Sequence, residues 1–347
     1  MKVIHIESGL GNQMLSYCEY LAIKLANPND DCYIENIIFE IPECNEVIRQ
    51  WNGYEIDKIF NIHTPNIKEL FSEKKWEAII KEIKESKFWE KNWNYPVYIT
   101  NVLRQHGIDL INTKGDYELP GQSSKTCMPK WYTQNALVSY LRYYRKRLLG
   151  ENRLLNYDNT DKLFIKTDEN IYAGQQLLFY YKNSGIERIE KDIRTVFQFR
   201  EIPSDETKNR DTLNKVMNCN SVSIHVRRGD AMYANYQYFA RGYYKKAVHF
   251  IKHQVDNPVF FVFCDPDSVE WAKLNEKKLG LDFKKDTIYF VDWNKGENSW
   301  YDMQLMANCK HNIIGNSSFA WWGAWLNQYP QKITISPEMT VNTTHSL

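Results

Sequence analysis

The sequence predicts an α/β protein built on parallel sheets, and three observations carry that prediction. Over roughly the last 130 residues, short apolar runs alternate with helical segments of about 10–15 residues, the pattern of right-handed βαβ crossovers. Runs such as Val259-Phe260-Phe261-Val262-Phe263 are apolar at successive positions, as strands covered on both faces should be. The N-terminus repeats the theme as strand, glycine turn and helix. At 347 residues the chain exceeds what one hydrophobic core usually serves, so two domains are expected. The polar stretch 201–211 is the best candidate boundary and divides the chain into 1–205 and 206–347.

In order along the chain, residues 2–6 read as a strand. Met14, Tyr17, Cys18, Leu21 and Leu25 then recur at helical spacing until Asn27-Pro28 ends the run. Residues 68–91 read as a long charged helix, Pro96–Val102 as a strand, and 130–200 as helical with a basic knot from Arg142 to Arg147. Beyond the boundary come a strand at Ser221–Val226, a helix at 243–255, a buried strand at Pro258–Cys264 and a helix at 267–279. A strand at 287–291, a helix at 298–309, a strand at 311–314, a helix at 317–328 and a strand at 332–336 complete a Rossmann-like layer.

Composition narrows the function classes. The 44 Lys+Arg balance 43 Asp+Glu, so the chain lacks the electrostatic footprint of a nucleic-acid binder. Its 43% hydrophobic and 14% aromatic content argues against general disorder. No window reaches the ~18 uninterrupted apolar residues of a membrane-spanning helix, and a strand at the very N-terminus leaves no room for a signal peptide. The seven cysteines are scattered without a Cys-x-x-Cys pair, against a disulfide framework or a zinc ribbon. A cytoplasmic protein with no transmembrane segment is expected; the Arg142–Arg147 knot could touch the inner membrane face, though an ordinary basic helix face is the simpler reading.

Four segments could carry chemistry. Ser8-Gly9-Leu10-Gly11-Asn12-Gln13-Met14 follows the first strand and opens a helix. Its glycines let backbone approach a ligand, and free N–H groups there suit a phosphate. It departs from a dinucleotide fingerprint, because Met14 stands at the third glycine and Asp30 and Asp31 precede the second strand. A bare tight turn is the equal alternative.

His225-Val226-Arg227-Arg228-Gly229-Asp230 ends a parallel strand, where ligands of open α/β sheets bind. Two arginines there call for an anion, since guanidinium matches phosphate oxygens in bidentate fashion. In extended backbone, His225 and Arg227 share one face and Arg228 takes the other. One arginine would meet the ligand while its neighbour braces the loop through Asp230. Asp265-Pro266-Asp267 has the form of a metal-holding Asp-x-Asp. Cap-plus-nucleotide is the preferred reading, with Asp267 as N-cap and Asp265 accepting from a ribose or base edge. Asn316-Ser317-Ser318-Phe319 opens another helix, as an anion nest or as a plain N-cap. Trp321 and Trp322 point about 100° apart, so at least one belongs to the core. His249 and His253 lack an evident third metal ligand and read as a solvated helix face.

In this order and spacing, GLGNQM, HVRRGD, FFVFCDP and NSSFAWWGAWL closely resemble glycosyltransferase family eleven, the α-1,2-fucosyltransferases, in a bacterial-type form. The resemblance is strongest over 1–25 and 220–340. It implies a GT-B-like fold, two Rossmann-like domains facing each other across a cleft, with 1–205 on the acceptor side and 206–347 binding the GDP-sugar. It further implies inverting transfer of L-fucose from GDP-β-L-fucose to the 2-hydroxyl of a terminal galactose, with no metal and no cofactor beyond the donor substrate. The acceptor would be a galactose-terminated oligosaccharide or a lipid-linked glycan.

Carried over to this chain, Gly9, Gly11, Asn12, His225, Arg227, Asp265, Asn316, Ser317, Ser318 and Phe319 would hold the donor. Arg228, Arg227, Asn12 and Asp230 would act in the reaction, and Asp230 or Glu7 could serve as general base. The chain departs from the family at Cys264-Asp265-Pro266, where Ser-Asp-Asp is usual, and at Glu7-Ser8, where glycine is common. The usual acceptor-side segment is hard to see in 170–185. Two alternatives stand beside this reading: a metal-dependent transferase of another nucleotide sugar using Asp265 and Asp267, and a non-catalytic nucleotide-binding module.

Overall fold

A computed structural model of the chain describes residues 1–91, 94–114, 137–138, 141, 144–145, 148, 163–174, 178–228, 239, 241–265, 268–337 and 341–347. The chain divides into two compact units, Met1–Thr126 with Tyr157–Phe199 and Cys127–Asn156 with Arg200–Leu347. Both are α/β and both sheets are parallel throughout, as the alternation of strands and helices predicts.

Unit 1 is organised on β1 (Lys2–His5), β2 (Cys32–Glu35), β3 (Ile111–Asn112) and β4 (Ile171–Ala173), in the order β2-β1-β4-β3. Every residue of β1 is buried, including Lys2. Its Nζ is satisfied by the Thr167 and Glu169 carbonyls and by Asp30. The acidic pair before β2 is thus partly spent on the strand itself. The helix Leu10–Ala26 buries Met14, Tyr17 and Cys18, but Leu25 is exposed, so its core face runs through Ala22 and Ile23 instead. Asn27 closes it, its side chain donating to the Ile23 carbonyl.

Two expectations for the middle of this unit change. The charged segment 68–91 divides into a 3-10 turn, Ile67–Leu70, and helices at Glu73–Glu85 and Phe88–Lys91, with Trp76, Ile79 and Ile83 as the buried stripe. Pro96–Val102 is helix, within Tyr95–Gln105. Pro96 lies in the first helical turn, where its missing N–H costs nothing. Tyr95, Ile99, Val102 and Leu103 fall at helical spacing and pack with Phe88 and Tyr172. The stretch 130–200 carries, in its described part, the strand β4 and the helix Glu190–Val196.

Beyond Arg200, unit 2 carries the helix Thr207–Met217 and the strands β5 (Asn220–Val226), β6 (Pro258–Cys264), β7 (Thr287–Val291), β8 (His311–Ile313), β9 (Thr334–Ser336) and β10 (His345–Ser346). The order is β10-β9-β8-β5-β6-β7, which puts β5 at the centre between β8 and β6. Val222, Ile224, Phe260 and Val262 pack beneath Ala247, Val248 and Ile251 of the helix Tyr243–Gln254. The expected helix over 267–279 is two pieces, Val269–Leu274 and Glu276–Leu279, interrupted at Asn275. Both Trp321 and Trp322 are core residues of the helix Ser318–Leu326. That helix lies tight against Trp300–Asn308: a Cβ on Gly323 would come within 2.8 Å of Met306.

Among the described residues, no helix is long and apolar enough to cross a membrane, and Cys18, Cys32, Cys44, Cys219, Cys264 and Cys309 are free thiols. Of the Arg142–Arg147 knot, Tyr144 and Arg145 are described and both are exposed; the remaining members lie outside the described residues.

Candidate functional site

Because β5 is central and its neighbours run parallel, three strand ends meet at one edge of the unit 2 sheet: Arg227-Arg228 after β5, Asp265 after β6, and Gly315-Asn316-Ser317 after β8. This is where an open parallel sheet offers its ligand site. The structure ties these ends together. The Arg228 backbone N–H donates to Asp265 Oδ2 at 2.9 Å, and Arg227 Nη1 donates to Ser317 Oγ at 3.4 Å. Asp265 thus braces the loop after β5. Asp230 itself lies outside the described residues, as do Gly229 and Asp267.

The two guanidinium groups are held differently. Arg228 lies over the indole of Trp271, 4.0 Å from the ring centroid, so the ring shields one face of the cation and leaves its edge to donate. Its Nε is buried with no hydrogen-bond partner among the described residues. A desolvated donor of that kind fits an anionic oxygen. Ser317 caps the helix Ser318–Leu326, its Oγ accepting from the Ala320 N–H at 3.4 Å as well as from Arg227. The cap reading and the anion reading of this turn thus meet in one hydroxyl. Asn316 is exposed beside it, while Ser318 and Phe319 are half-buried in the first helical turn.

His225, on the same strand, is buried, and burial, with Arg227 adding to it, pushes its imidazole down to about 3. It is neutral at any working pH, its ring 6.3 Å from that of Phe319. Two tyrosines fix the strand ends from below. Tyr244 donates to the His225 carbonyl at 2.9 Å, and Tyr243 donates to the carbonyls of Ile314 and Ile335. Gly315 is closely packed: a Cβ there would lie 2.9 Å from the Tyr244 hydroxyl, so something would have to shift. Sequence reading missed Tyr243, Tyr244 and Trp271. The doublet directly after Gly242 at a helix start was the available signal for the tyrosines; Trp271 offered none.

The remaining candidates belong to unit 1. Gly9 is the N-cap of the helix Leu10–Ala26 in ordinary extended backbone, and the left-handed residue of the turn is Ser8, at φ 69°. Gly9 is needed for another reason: the Trp51 ring lies on it, and a Cβ would meet Trp51 Cδ1 at 2.7 Å. Asn12 donates to Ser8 Oγ at 3.2 Å. Gln13 locks the turn, donating to the Ser8 and Gly53 carbonyls and accepting from Glu55 N–H. Gly11 is buried inside the helix.

Just before this turn lies a second polar cluster. His5 Nδ1 is 2.6 Å from Glu35 Oε2, His5 Nε2 is 3.2 Å from Glu7 Oε2, and Tyr172 donates to Glu35 Oε2 at 2.7 Å. Burial works against the charge on His5, but Glu35 and Glu7 outweigh it and hold the imidazole above its ordinary value. Burial likewise opposes ionisation of Glu35, and His5, Tyr172 and the Ile37 N–H bring it below the usual carboxylate range. Only Glu7 of these was a candidate from sequence.

Comparison with known proteins gives this geometry a setting. The model of the family described as glycosyl transferase family 11 matches residues 174–344. An α-1,2-colitosyltransferase of Escherichia coli is 40% identical over 132 residues, 36% of this chain and 43% of that enzyme. The O-antigen biosynthesis glycosyltransferase WbnK of Escherichia coli is 32% identical over 247 residues, 69% of this chain and 73% of the relative. The galactoside α-(1,2)-fucosyltransferase 1 of Saimiri sciureus is 28% identical over 110 residues, 30% of this chain and 28% of its own length. The matched stretch thus spans under half of the first and third relatives and nearly three quarters of the second.

Proposed function

From the premise that this chain belongs to glycosyl transferase family 11, we propose that it transfers L-fucose from GDP-β-L-fucose to the 2-hydroxyl of a terminal galactose, with inversion and without a metal or other cofactor. The observation that carries the reading is the pair of arginines at the end of β5. Arg227 is tethered to Ser317, and Arg228 stacks on Trp271 with a buried Nε that has no partner among the described residues. That is the donor set a diphosphate leaving group requires.

The reaction follows from this placement. The acceptor hydroxyl attacks the anomeric carbon as the bond to the β-phosphate breaks, and negative charge collects on the departing phosphate. Arg228 and Arg227, with the N–H groups that open the helix Ser318–Leu326, stabilise that charge without reorganising. Neutral His225 adds no competing positive charge and can hydrogen-bond the donor. Asp265, oriented by the Arg228 N–H, stands at the strand end where it would accept from ribose or base. The partners are then GDP-fucose and a galactose-terminated oligosaccharide or lipid-linked glycan.

The test is mass spectrometry of products formed from GDP-fucose with a panel of galactose-terminated acceptors, with and without EDTA. A product heavier by one fucose, equally abundant in EDTA, supports the reading. Activity abolished by EDTA transfers the case to a metal-dependent mechanism, and GDP binding with no product under any acceptor leaves a binding module. One observation favours a second donor: the 40% identity to a colitosyltransferase over 132 residues. Activated colitose therefore belongs in the same panel, and a higher kcat/KM with it would reassign the donor sugar.

A further inference from the structure

The charge balance of the chain is uneven along its length. The whole carries 44 Lys+Arg against 43 Asp+Glu, yet no Asp or Glu occurs from Leu119 to Gly150, a stretch that holds Lys125, Lys130, Arg142, Arg145, Lys146 and Arg147. The rest of the chain is accordingly net acidic. A block of one sign inside a balanced chain makes a local field that draws a partner of the opposite sign.

Within that stretch, residues 137, 138, 141, 144, 145 and 148 are helical. Leu137, Leu141, Tyr144 and Leu148 expose 69%, 62%, 46% and 84% of their surfaces. Their spacing of four, three and four residues keeps them within about 60° of one another round a helix. Arg145 is exposed beside Tyr144, about 100° further round. The other exposed leucines among the described residues stand singly: Leu25, Leu70, Leu274 and Leu347 belong to four separate segments and call for no partner. A stripe of three leucines and a tyrosine in water is unfavourable until something apolar covers it.

We propose that this face lies on the surface of an anionic phospholipid membrane, its leucines and tyrosine entering the headgroup–acyl boundary while the cations meet lipid phosphates. Apolar stripe and cationic run together select this occupant. A second copy of the chain would cover the leucines but bring like charges together. A nucleic acid would meet the cations and leave the leucines wet. An anionic bilayer answers both. Tyr144 suits the boundary, with an apolar ring and a polar hydroxyl. The face would rest on the membrane and not cross it: among the described residues, no helix is long and apolar enough to span one. Attachment is independent of which sugar is transferred. On the proposed reaction, it would bring the chain to the lipid-linked form of the acceptor.

The full chain is mixed with sedimenting vesicles of phosphatidylcholine, alone or with about one third phosphatidylglycerol, and the pelleted fraction gives a partition coefficient. Wild type is expected to partition at least about tenfold more strongly onto the anionic vesicles, and to lose most of that preference in about 1 M salt. Leu141→Ser/Leu148→Ser should lower partition onto anionic vesicles by about tenfold or more, and Arg145→Gln by about fivefold. Leu141, Arg145 and Leu148 are exposed, so each variant should melt with the wild type, which separates lost attachment from lost fold. A wild type that prefers neither vesicle overturns the proposal. So does a leucine variant that pellets like wild type, since charge alone is then at work. Light scattering supplies the third outcome: an oligomeric wild type beside a monomeric leucine variant assigns the face to a second copy and overturns the membrane reading. None of these measurements depends on sugar transfer, so failure of the proposed reaction would leave them standing.

Discussion

Two histidines, each buried toward the C-terminal end of a strand in an all-parallel sheet, are pushed in opposite directions by their neighbours. His225 on β5 has Arg227 two residues on and, among the described residues, nothing acidic against its ring, so burial drives it to the neutral form, down to about 3. His5 on β1 is equally buried, yet Glu35, 30 residues away, and Glu7 hold it as a cation. The two units use a buried histidine near a strand end for different purposes. Unit 2 keeps its positive charge on the arginines and makes the strand-end histidine a neutral partner. Unit 1 keeps negative charge and uses histidine as the counter-ion. Placement of a histidine at a strand end therefore says little about its protonation; the sign comes from neighbours that the fold brings in.

The largest test of this contrast is the pH dependence of stability. An unfolded histidine titrates near 6.5, and His225 in the folded chain near 3. The unfolded state thus binds a proton that the folded state refuses. The contribution is complete above about pH 6.5 and is lost as pH falls toward 3, amounting to roughly 5 kcal/mol over that window. Urea midpoints of His225→Gln should therefore fall less between pH 7 and 4 than those of wild type, and parallel curves would break the contrast. His5 carries the reverse sign: its contribution is present below about pH 6.5 and is lost as pH rises through its raised value. Relative to the double variant His5→Gln/Glu35→Gln, wild type should therefore lose stability on the alkaline side.

Next in size is Arg228→Ala, which should lower kcat for transfer by about 10²–10³-fold, as loss of a charge-stabilising donor does. Near-full transfer would end the role given to Arg228. Gly315→Ala should cost about 1–3 kcal/mol, the range for overpacking, read as a shift in thermal midpoint. Tyr244→Phe in the same chain should recover part of that loss, since it removes the hydroxyl 2.9 Å from the added carbon. The smallest effect expected is at Trp271→Leu: losing the ring under Arg228 removes about 0.5–2 kcal/mol, seen as several-fold weaker GDP binding with kcat little changed.

Much of unit 2 could be read along the chain. Apolar runs such as Pro258–Cys264, separated by amphipathic helices, specify strand type and neighbour direction locally, and so point to the strand ends where Arg227, Arg228, Asp265 and Ser317 meet. What could not be read depends on distance. The Glu35–His5–Tyr172 set joins residues up to 167 positions apart, and nothing near His5 announces Glu35. Pro96–Val102 misled because its β-branched residues resemble a strand, while the periodicity that makes it helical includes Tyr95 and Leu103 outside that window. Trp271 sits on a short helix whose sequence gives no reason to aim it at an arginine.

The Arg228 arrangement also bears on how the protein should be handled at the bench. A guanidinium stacked on an indole, with a buried Nε unpartnered among the described residues, suits whichever oxyanion is abundant, so phosphate or sulfate in a buffer becomes a silent competitor of the donor. Any anion that binds only the folded chain also raises its melting temperature, by about 2.7 kcal/mol of stabilisation at a hundred times its dissociation constant. A variant screen run in phosphate would then rank the chain as robust under the very conditions that make it look slow.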